Sequence, residues 1–368
     1  MRLYSTLALA LLALLLGCSS GKSLYKHGDY YDAVFESVTR LQGNPNHKKA
    51  TEVLSLSYPA AVQYIDAQVQ AAIASDQPFK WRSAVEQYAR INNLHDAIMR
   101  SPAALKIIPN PVSRFKEIGE ARDKAAEECY TAGINEMLKN NRENSKQAYY
   151  LFRDANGFVP GYRESIEMMD KAKSDATIRV IVDREAPNRF NWTFNQFVFA
   201  YKSNEFVQFY TPEQVRSDTS IHPHQVVSVQ FLRYGETPPS VSRTTSNFGD
   251  SLVVGEKTVG TVKKPVKKWF TAQATVFRKS MTSEGILHLT IADLKSNALL
   301  RNTDVRSAMS WSDQWASCSG DNRVIPSSTK NLCGKSEPVP QQGYLVNQTR
   351  TDLEGKLSGE IAGFYGRY

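Results

Sequence analysis

Hydrophobic and polar residues follow two different periods along this chain of 368 residues. From Tyr25 to Ser174, apolar residues recur every three or four positions, which is the spacing of one face of an α-helix. From Ala176 onward the period shortens toward two, starting with "TIRVIVDR", as is typical of half-buried strands. The pattern therefore predicts an α+β protein with two separate cores, namely a helical domain over 18–174 and an α+β sheet domain over 175–334.

The helical half begins with a segment that resembles the second half of a tetratricopeptide repeat, a hairpin of antiparallel helices. In Tyr25–His47, Gly28 lies at the turn between helices and Pro45 closes the unit. Ala33 occupies the position of closest packing, where a small residue lets the two helices approach.

A second copy keeps the same spacing. Ala148, Phe152 and Ala155 lie on its helix, and Pro160 ends it. Its partner helix, "AAEECYTAGINEML", is expected to cross it at Gly133. A degenerate copy lies in "KWRSAVEQYARINNL", the segment "SPAALKIIPNP" is expected to break the helices, and further helices are predicted over 48–75 and 112–138. A plain helical bundle is the alternative, because Ala and aromatic residues at helical spacing also form ordinary cores.

The second half predicts one sheet with helices on one face, an α/β sandwich with a mostly antiparallel sheet. Strands are predicted at "TIRVIVDR", "FVQFYTP", "QVVSVQFLRYG" and "WFTAQATVFRKS", followed by a turn at "MTSEG" and two more strands in "ILHLTIADLKSNALLRN". An aromatic helix is predicted at "FNWTFNQFVFAYKSN" and a short one at "PEQVRS". This order is faintly similar to the small α/β domain of envelope lipoproteins such as penicillin-binding-protein activators. The tail over 335–368 is expected to carry a short helix that packs on one of the two cores.

The N-terminus resembles a bacterial lipoprotein signal. The apolar run Leu7–Leu16 is too short to span a bilayer, which needs roughly 20 residues. The sequence Leu15-Leu16-Gly17-Cys18 resembles a lipobox, which implies a signal peptide over 1–17, cleavage after Gly17 and lipidation of Cys18. An ordinary signal peptide with an accidental cysteine is the alternative. The residues after Cys18 lack the Asp that retains many lipoproteins in the inner membrane, so the outer membrane, facing the periplasm, is expected.

Charge and composition limit the classes of partner. The net charge is +8, and the basic residues are scattered along a chain with 41% hydrophobic residues. The electrostatic field produced by this charge is modest. It suits an anionic glycan or lipid surface and gives no support for nucleic-acid binding.

The other three cysteines are expected to play two roles. Cys318 and Cys333 bracket a polar loop, and in an oxidising periplasm a disulfide is expected to close it, with two free thiols as the alternative. Cys129 falls on the apolar side of a helix and is expected to be buried and reduced.

Two clusters are candidates for binding. The run "VKKPVKKW" places four lysines where they could contact phosphate-rich headgroups or acidic glycans, or could instead protect a sheet edge from pairing; these are Lys263, Lys264, Lys267 and Lys268. Trp311 and Trp315 are spaced for one face of a helix or strand. They could stack on a glycan or pack against the disulfide.

Catalytic motifs were not found in the sequence. It lacks a Gly-rich phosphate loop, HExxH, GxSxG and a CxxC pair, and the nearby pair His222 and His224 has no visible third metal ligand. We therefore predict no catalytic residues, no metal site and no cofactor.

Over its whole length the chain resembles a group of Bacteroidota outer-membrane lipoproteins with tetratricopeptide-like repeats. The resemblance implies a location and an architecture but no biochemical activity. Three hypotheses follow: a lipid-anchored adaptor that binds envelope proteins, a glycan- or lipid-binding lipoprotein, and an envelope hydrolase. The hydrolase is least favoured, because the candidate acids have no paired carboxylate at a usable spacing; these acids are Glu284, Asp293 and Asp321.

Overall fold

The computed structural model describes residues 21–259, 261–335, 338–341 and 343–368. Contacts divide the chain into two compact units, the first ending at Ala176 and the second beginning at Thr177, two residues after the boundary predicted between 174 and 175. Helices fill the first unit and a sheet with helices fills the second, so the α+β class is confirmed. The predicted signal peptide over 1–17 and the lipidation site Cys18 lie outside the described residues.

Over residues 21–176 the chain forms eight helices. They are α1 (Lys22–Lys26), α2 (Tyr30–Gly43), α3 (Lys48–Ala74), α4 (Lys80–Met99), α5 (Pro102–Ile107), α6 (Phe115–Leu138), α7 (Arg142–Phe158) and α8 (Ser165–Ala176). The short helix α5 lies inside the segment expected to break the helices. Its start is stabilised by Ser101, whose side chain accepts a hydrogen bond from the Ala104 N–H.

Small residues set the distance between neighbouring helices of the first unit. Ala33, Ala148 and Ala155 are fully buried. At Gly133, an added Cβ would lie only 2.7 Å from the Phe152 ring, so the α6–α7 crossing requires glycine. The prediction that the two helices cross closely at Gly133 is therefore confirmed.

The second unit contains one six-stranded sheet. Its strands are β1 (Ile178–Val182), β2 (Val207–Tyr210), β3 (Gln225–Glu236), β4 (Ser240–Val259), β5 (Val262–Asp293) and β6 (Leu299–Gly320), and its helices are α9 (Asn195–Phe199), α10 (Pro212–Ser217), α11 (Ser327–Lys330) and α12 (Tyr344–Tyr365). The strand order is β2-β1-β3-β5-β4, and β6 pairs with β5.

The sheet is mixed, so the prediction of a mostly antiparallel sheet was wrong. Strand β1 runs parallel to both β2 and β3, whereas the other three pairs are antiparallel. The reason lies in the connections: α9 follows β1 and α10 follows β2, and such crossovers return the chain in the same direction.

Strand β5 is a single strand of 32 residues, and the turn predicted at "MTSEG" does not exist. Pairing with β6 continues through this segment, with Ser283 opposite Met309 and Gly285 opposite Ser307. The glycine serves a close approach of α12, because an added Cβ would lie 2.8 Å from Thr349. Strand β4, which was not predicted, pairs with the first part of β5.

Two helices differ in length from the prediction. The aromatic segment forms only the five-residue helix α9, because Trp192 and Phe194 enter the core from irregular chain ahead of it. Helix α12 has 22 residues and is longer than the short helix expected in the tail. Every fourth side chain of α12 packs on the sheet core, in the series Leu353, Leu357, Ile361 and Tyr365.

We predict that Gly133→Ala lowers the free energy of unfolding of the helical unit by about 1–3 kcal/mol, since the new methyl group overlaps Phe152. Urea denaturation followed by circular dichroism measures the change. Gly119→Ala on the same helix α6 is the matched control, because nothing lies within 4 Å of its Cβ position. The control should be neutral or stabilising by up to about 1 kcal/mol, and equal destabilisation by both variants would contradict the prediction.

Candidate functional site

The four predicted lysines lie on a two-stranded ribbon at the start of β5. Strand β6 pairs with β5 only from Ala272 onward, whereas β4 pairs with β5 from Val262 to Ser280. Residues 262–270 therefore have a partner strand on one side only. At about 3.3 Å per residue, this ribbon extends roughly 30 Å past the end of β6.

Alternation along β5 distributes the lysines over both faces of the ribbon. Lys264 and Lys268 share one face and Lys263 and Lys267 the other. Lys264 lies directly opposite Lys257 of β4, a like-charge pair that destabilises a sheet. Since this strand has an open edge, the structure also satisfies the edge-protection alternative.

Large apolar side chains are exposed beside these lysines. Trp269 is 64% exposed. It covers Gly249, where an added Cβ would lie 2.8 Å from the indole. Four valines near the ribbon tip are each about half exposed; they are Val253, Val254, Val259 and Val262. Trp269 was not among the residues predicted from the sequence, although its position directly after the lysine run is a signal that could have identified it.

Trp311 and Trp315 lie on one face of β6. Trp311 is opposite Met281, and Trp315 is opposite Phe277, whose ring it stacks on at 5.3 Å between centroids. Cys318 is an odd number of residues from Trp315, so the disulfide lies on the other face of the strand. The alternative that these tryptophans pack on the disulfide was therefore wrong.

The predicted disulfide joins Cys318 and Cys333, with the Cα atoms 5.7 Å apart. The loop that it closes covers the root of the ribbon. Arg323 of this loop lies 4.4 Å from the Phe270 ring centroid and pairs with Asp321 at 2.6 Å. These hydrogen bonds from Arg323 lower the pKa of Asp321 to about 2.

The helical unit contains an open cavity of about 660 Å³ that was not predicted from the sequence. We call it the helical groove; it is lined by Pro78, Phe79, Trp81, Lys124, Glu127, Glu128, Thr131, Ala132 and Asn135. The ammonium of Lys124 lies 4.0 Å from the Trp81 ring centroid. The wall is therefore both aromatic and polar.

Glu128 connects the two helices that form the helical groove. Its carboxylate accepts a hydrogen bond of 3.2 Å from the backbone N–H of Trp81, in the first turn of α4. A carboxylate is favoured there because the helix N-terminus carries partial positive charge. Burial raises the pKa of the Glu128 carboxyl.

The two acids of the helical groove do not form an acid–base pair. Consecutive residues on a helix project about 100° apart. Glu127 instead pairs with Arg163 at 3.3 Å, while Glu128 binds the α4 backbone. The hydrolase hypothesis gains no support from this arrangement.

A second cavity, of about 460 Å³, is lined by residues of α4 and α7. Arg82 lines it and donates a hydrogen bond to Asp154 at 2.5 Å and another to the Cys129 sulfur at 3.6 Å. Cys129 is buried and not bonded to another cysteine, as predicted, and burial raises the pKa of its thiol.

Comparisons with protein-family models, with curated proteins and with solved structures found no match to this chain. The described ranges hold no group of three or more His, Cys, Asp or Glu side chains placed to bind a metal ion. Within the same ranges, no helix combines the length and apolar character needed to cross a membrane.

We predict that replacing both Cys318 and Cys333 by Ser lowers the free energy of unfolding of the sheet unit by about 3 kcal/mol, the value expected for closing a loop of this length. Urea denaturation with and without reductant measures the change. Reductant should destabilise the unmodified chain and leave the double variant unchanged. Non-reducing peptide mapping that finds both thiols free would contradict the prediction.

Proposed function

We propose that this protein is a lipid-anchored, non-catalytic adaptor of the bacterial cell envelope, and that the helical groove binds an extended segment of a partner protein. The observation that carries the proposal is the polar and aromatic lining of a groove on helices, without a paired acid at its centre. An extended segment presents backbone N–H and C=O groups that need partners, and Thr131 and Asn135 can supply them.

The size of the helical groove suits this occupant. A volume of about 660 Å³ lies in the range of sites that bury a few side chains. Trp81 offers a flat apolar surface for an apolar or cationic side chain, and Lys124 beside it offers a charge for a carboxylate. The groove therefore favours a segment that combines an apolar and an acidic residue.

Helical hairpins of the tetratricopeptide type are part of the proposal. The close crossing at Gly133 and Phe152, together with buried Ala33 and Ala148, supports this description of the helical unit. Such hairpins form concave surfaces that bind other proteins. The lipobox-like sequence at Cys18 supports anchoring to the outer membrane, and the wider resemblance to Bacteroidota lipoproteins is consistent with that location.

Glycan binding on the sheet unit is the second candidate function. The observation that favours it is the row of half-buried aromatic rings in which Trp315 stacks on Phe277 and Trp311 lies further along the same face. Flat rings on one face of a sheet can stack against a sugar ring.

We predict that a photo-reactive residue at Thr131 cross-links one partner protein in intact cells, because Thr131 is exposed in the helical groove. Lys124→Glu should lower the cross-linked yield about tenfold, since it removes the cation beside Trp81 and repels an acidic segment. Lys116→Glu on the same helix, 87% exposed and remote from the groove lining, should leave the yield unchanged. No cross-link at Thr131, or an equal loss in both variants, would refute the groove as the binding site.

We also predict that Cys18→Ala releases the protein from membranes or leaves its signal uncleaved, because the thiol that would carry the lipid is lost. Membrane fractionation and incorporation of labelled fatty acid measure this. A variant that still partitions fully with membranes and incorporates label would show that the lipid is attached elsewhere.

A further inference from the structure

We propose that the tip of the β4–β5 ribbon binds the surface of a bilayer rich in anionic phospholipid. The tip is defined as residues 250–270 of the hairpin, without Gly260. This contact is independent of the helical groove and of the lipid expected at Cys18, and it would give the sheet unit its own affinity for a membrane.

Charge is the first observation. The tip contains five lysines against the two carboxylates of Asp250 and Glu256, a net charge of +3. Lys263 pairs with Glu256 at 3.3 Å. No carboxylate of the described residues lies within 4 Å of Lys257, Lys264 or Lys267, so these cations are available to headgroup phosphates.

The order of side chains along the tip is the second observation. Val259 and Val262 lie opposite each other as the last pair of the hairpin, and both are more than half exposed. Lys257, Lys263 and Lys264 follow within two residues of them, or about 7 Å. The two valines at the end of the hairpin can contact the upper part of the acyl chains, while the lysines next to them contact the phosphates just above.

Backbone pairing limits how deep such a tip can enter. The last hairpin residues pair with each other, but neither strand of the ribbon has a second partner strand over 250–259 and 262–270. Open edges are not tolerated in hydrocarbon, so the valines can enter only the interfacial layer. Lys267, Lys268 and Trp269 then lie five to seven residues behind Val262, roughly 16 to 23 Å further from the membrane centre, so they stay on the aqueous side of the headgroups.

Other occupants fit less well. An acidic soluble protein or polysaccharide would neutralise the lysines but would leave the valines in water. A second copy of this chain that paired along the open edge of the tip would bring more lysines next to the like-charge pair of Lys257 and Lys264. A bilayer surface satisfies the charged and the apolar side chains together.

Vesicle sedimentation tests the proposal with the mature chain from residue 18 onward carrying Cys18→Ala, so that no attached lipid contributes. The chain should bind vesicles of pure phosphatidylglycerol, bind them more weakly at high salt, and not bind pure phosphatidylcholine. Replacing the lysines at 263, 264, 267 and 268 by Gln should weaken binding about a hundredfold.

Matched variants separate the tip from general charge and general apolarity. Gln at four exposed lysines elsewhere removes the same charge and should leave binding within about twofold; these are Lys48, Lys49, Lys106 and Lys202. Val259→Thr with Val262→Thr should weaken binding about tenfold. Val241→Thr, near the root of β4 and 57% exposed, should have no effect.

Several results would overturn the proposal. They are absence of binding to phosphatidylglycerol, equal loss in the two sets of lysine variants, binding to a soluble acidic polysaccharide but not to vesicles, and self-association that depends on the tip valines without vesicles present. Lys124→Glu in the helical groove should leave vesicle binding unchanged, so failure of the adaptor proposal and failure of this one are distinguishable.

Discussion

Pairing along both edges of β5, from Ala272 to Ala292, is the constraint on which the sheet unit depends. Strand β6 occupies one edge from Ala272 to Ala292, while β4 and then β3 share the other. A strand that exchanges partners in this way must stay extended through the point of exchange, near Thr282. The second part of β5, which contains Leu287, Leu289 and Ile291, therefore belongs to a core covered by α12. The first part of β5 belongs to a ribbon that no described helix covers.

The helical unit depends on a different constraint, the absence of side-chain volume where helices cross. Gly133 and Phe152 form a matched pair in which the ring fills the space that a larger residue at 133 would occupy. The small residue at this position lets α6 pack closely against α7. Glu128 then joins α6 to the first turn of α4 through the Trp81 N–H, so the walls of the helical groove are held by packing and by polar contacts.

Local pattern was sufficient where structure is local. The helical period predicted most of α3, α6 and α7. The spacing of Gly133, Ala148 and Phe152 predicted where α6 and α7 cross. It failed where partners distant in sequence decide the conformation. The residues of "MTSEG" favour a turn when considered alone, but pairing with neighbouring strands keeps them extended. Gly285 is needed because α12 approaches closely at that position. The parallel pairing of β1 likewise depends on strands that follow much later in the chain.

The candidate sites show the same division. The lysine run and the tryptophan pair could be read from sequence because each is contiguous, whereas the helical groove brings together residues from α4 and α6 that are more than 40 positions apart. Only the fold could reveal that Trp311 and Trp315 face away from the disulfide.

The position of α12 in the chain has a consequence for the order of folding. Helix α12 is synthesised after every strand that it covers, so its core side chains can pack with Leu287, Leu289 and Ile291 only after residues 344–365 have emerged. Until then the part of the apolar face that α12 covers is exposed together with a long open edge, a combination that promotes aggregation. The incomplete chain is therefore the species most prone to aggregate, and this exposure ends when Leu353 docks over Gly285.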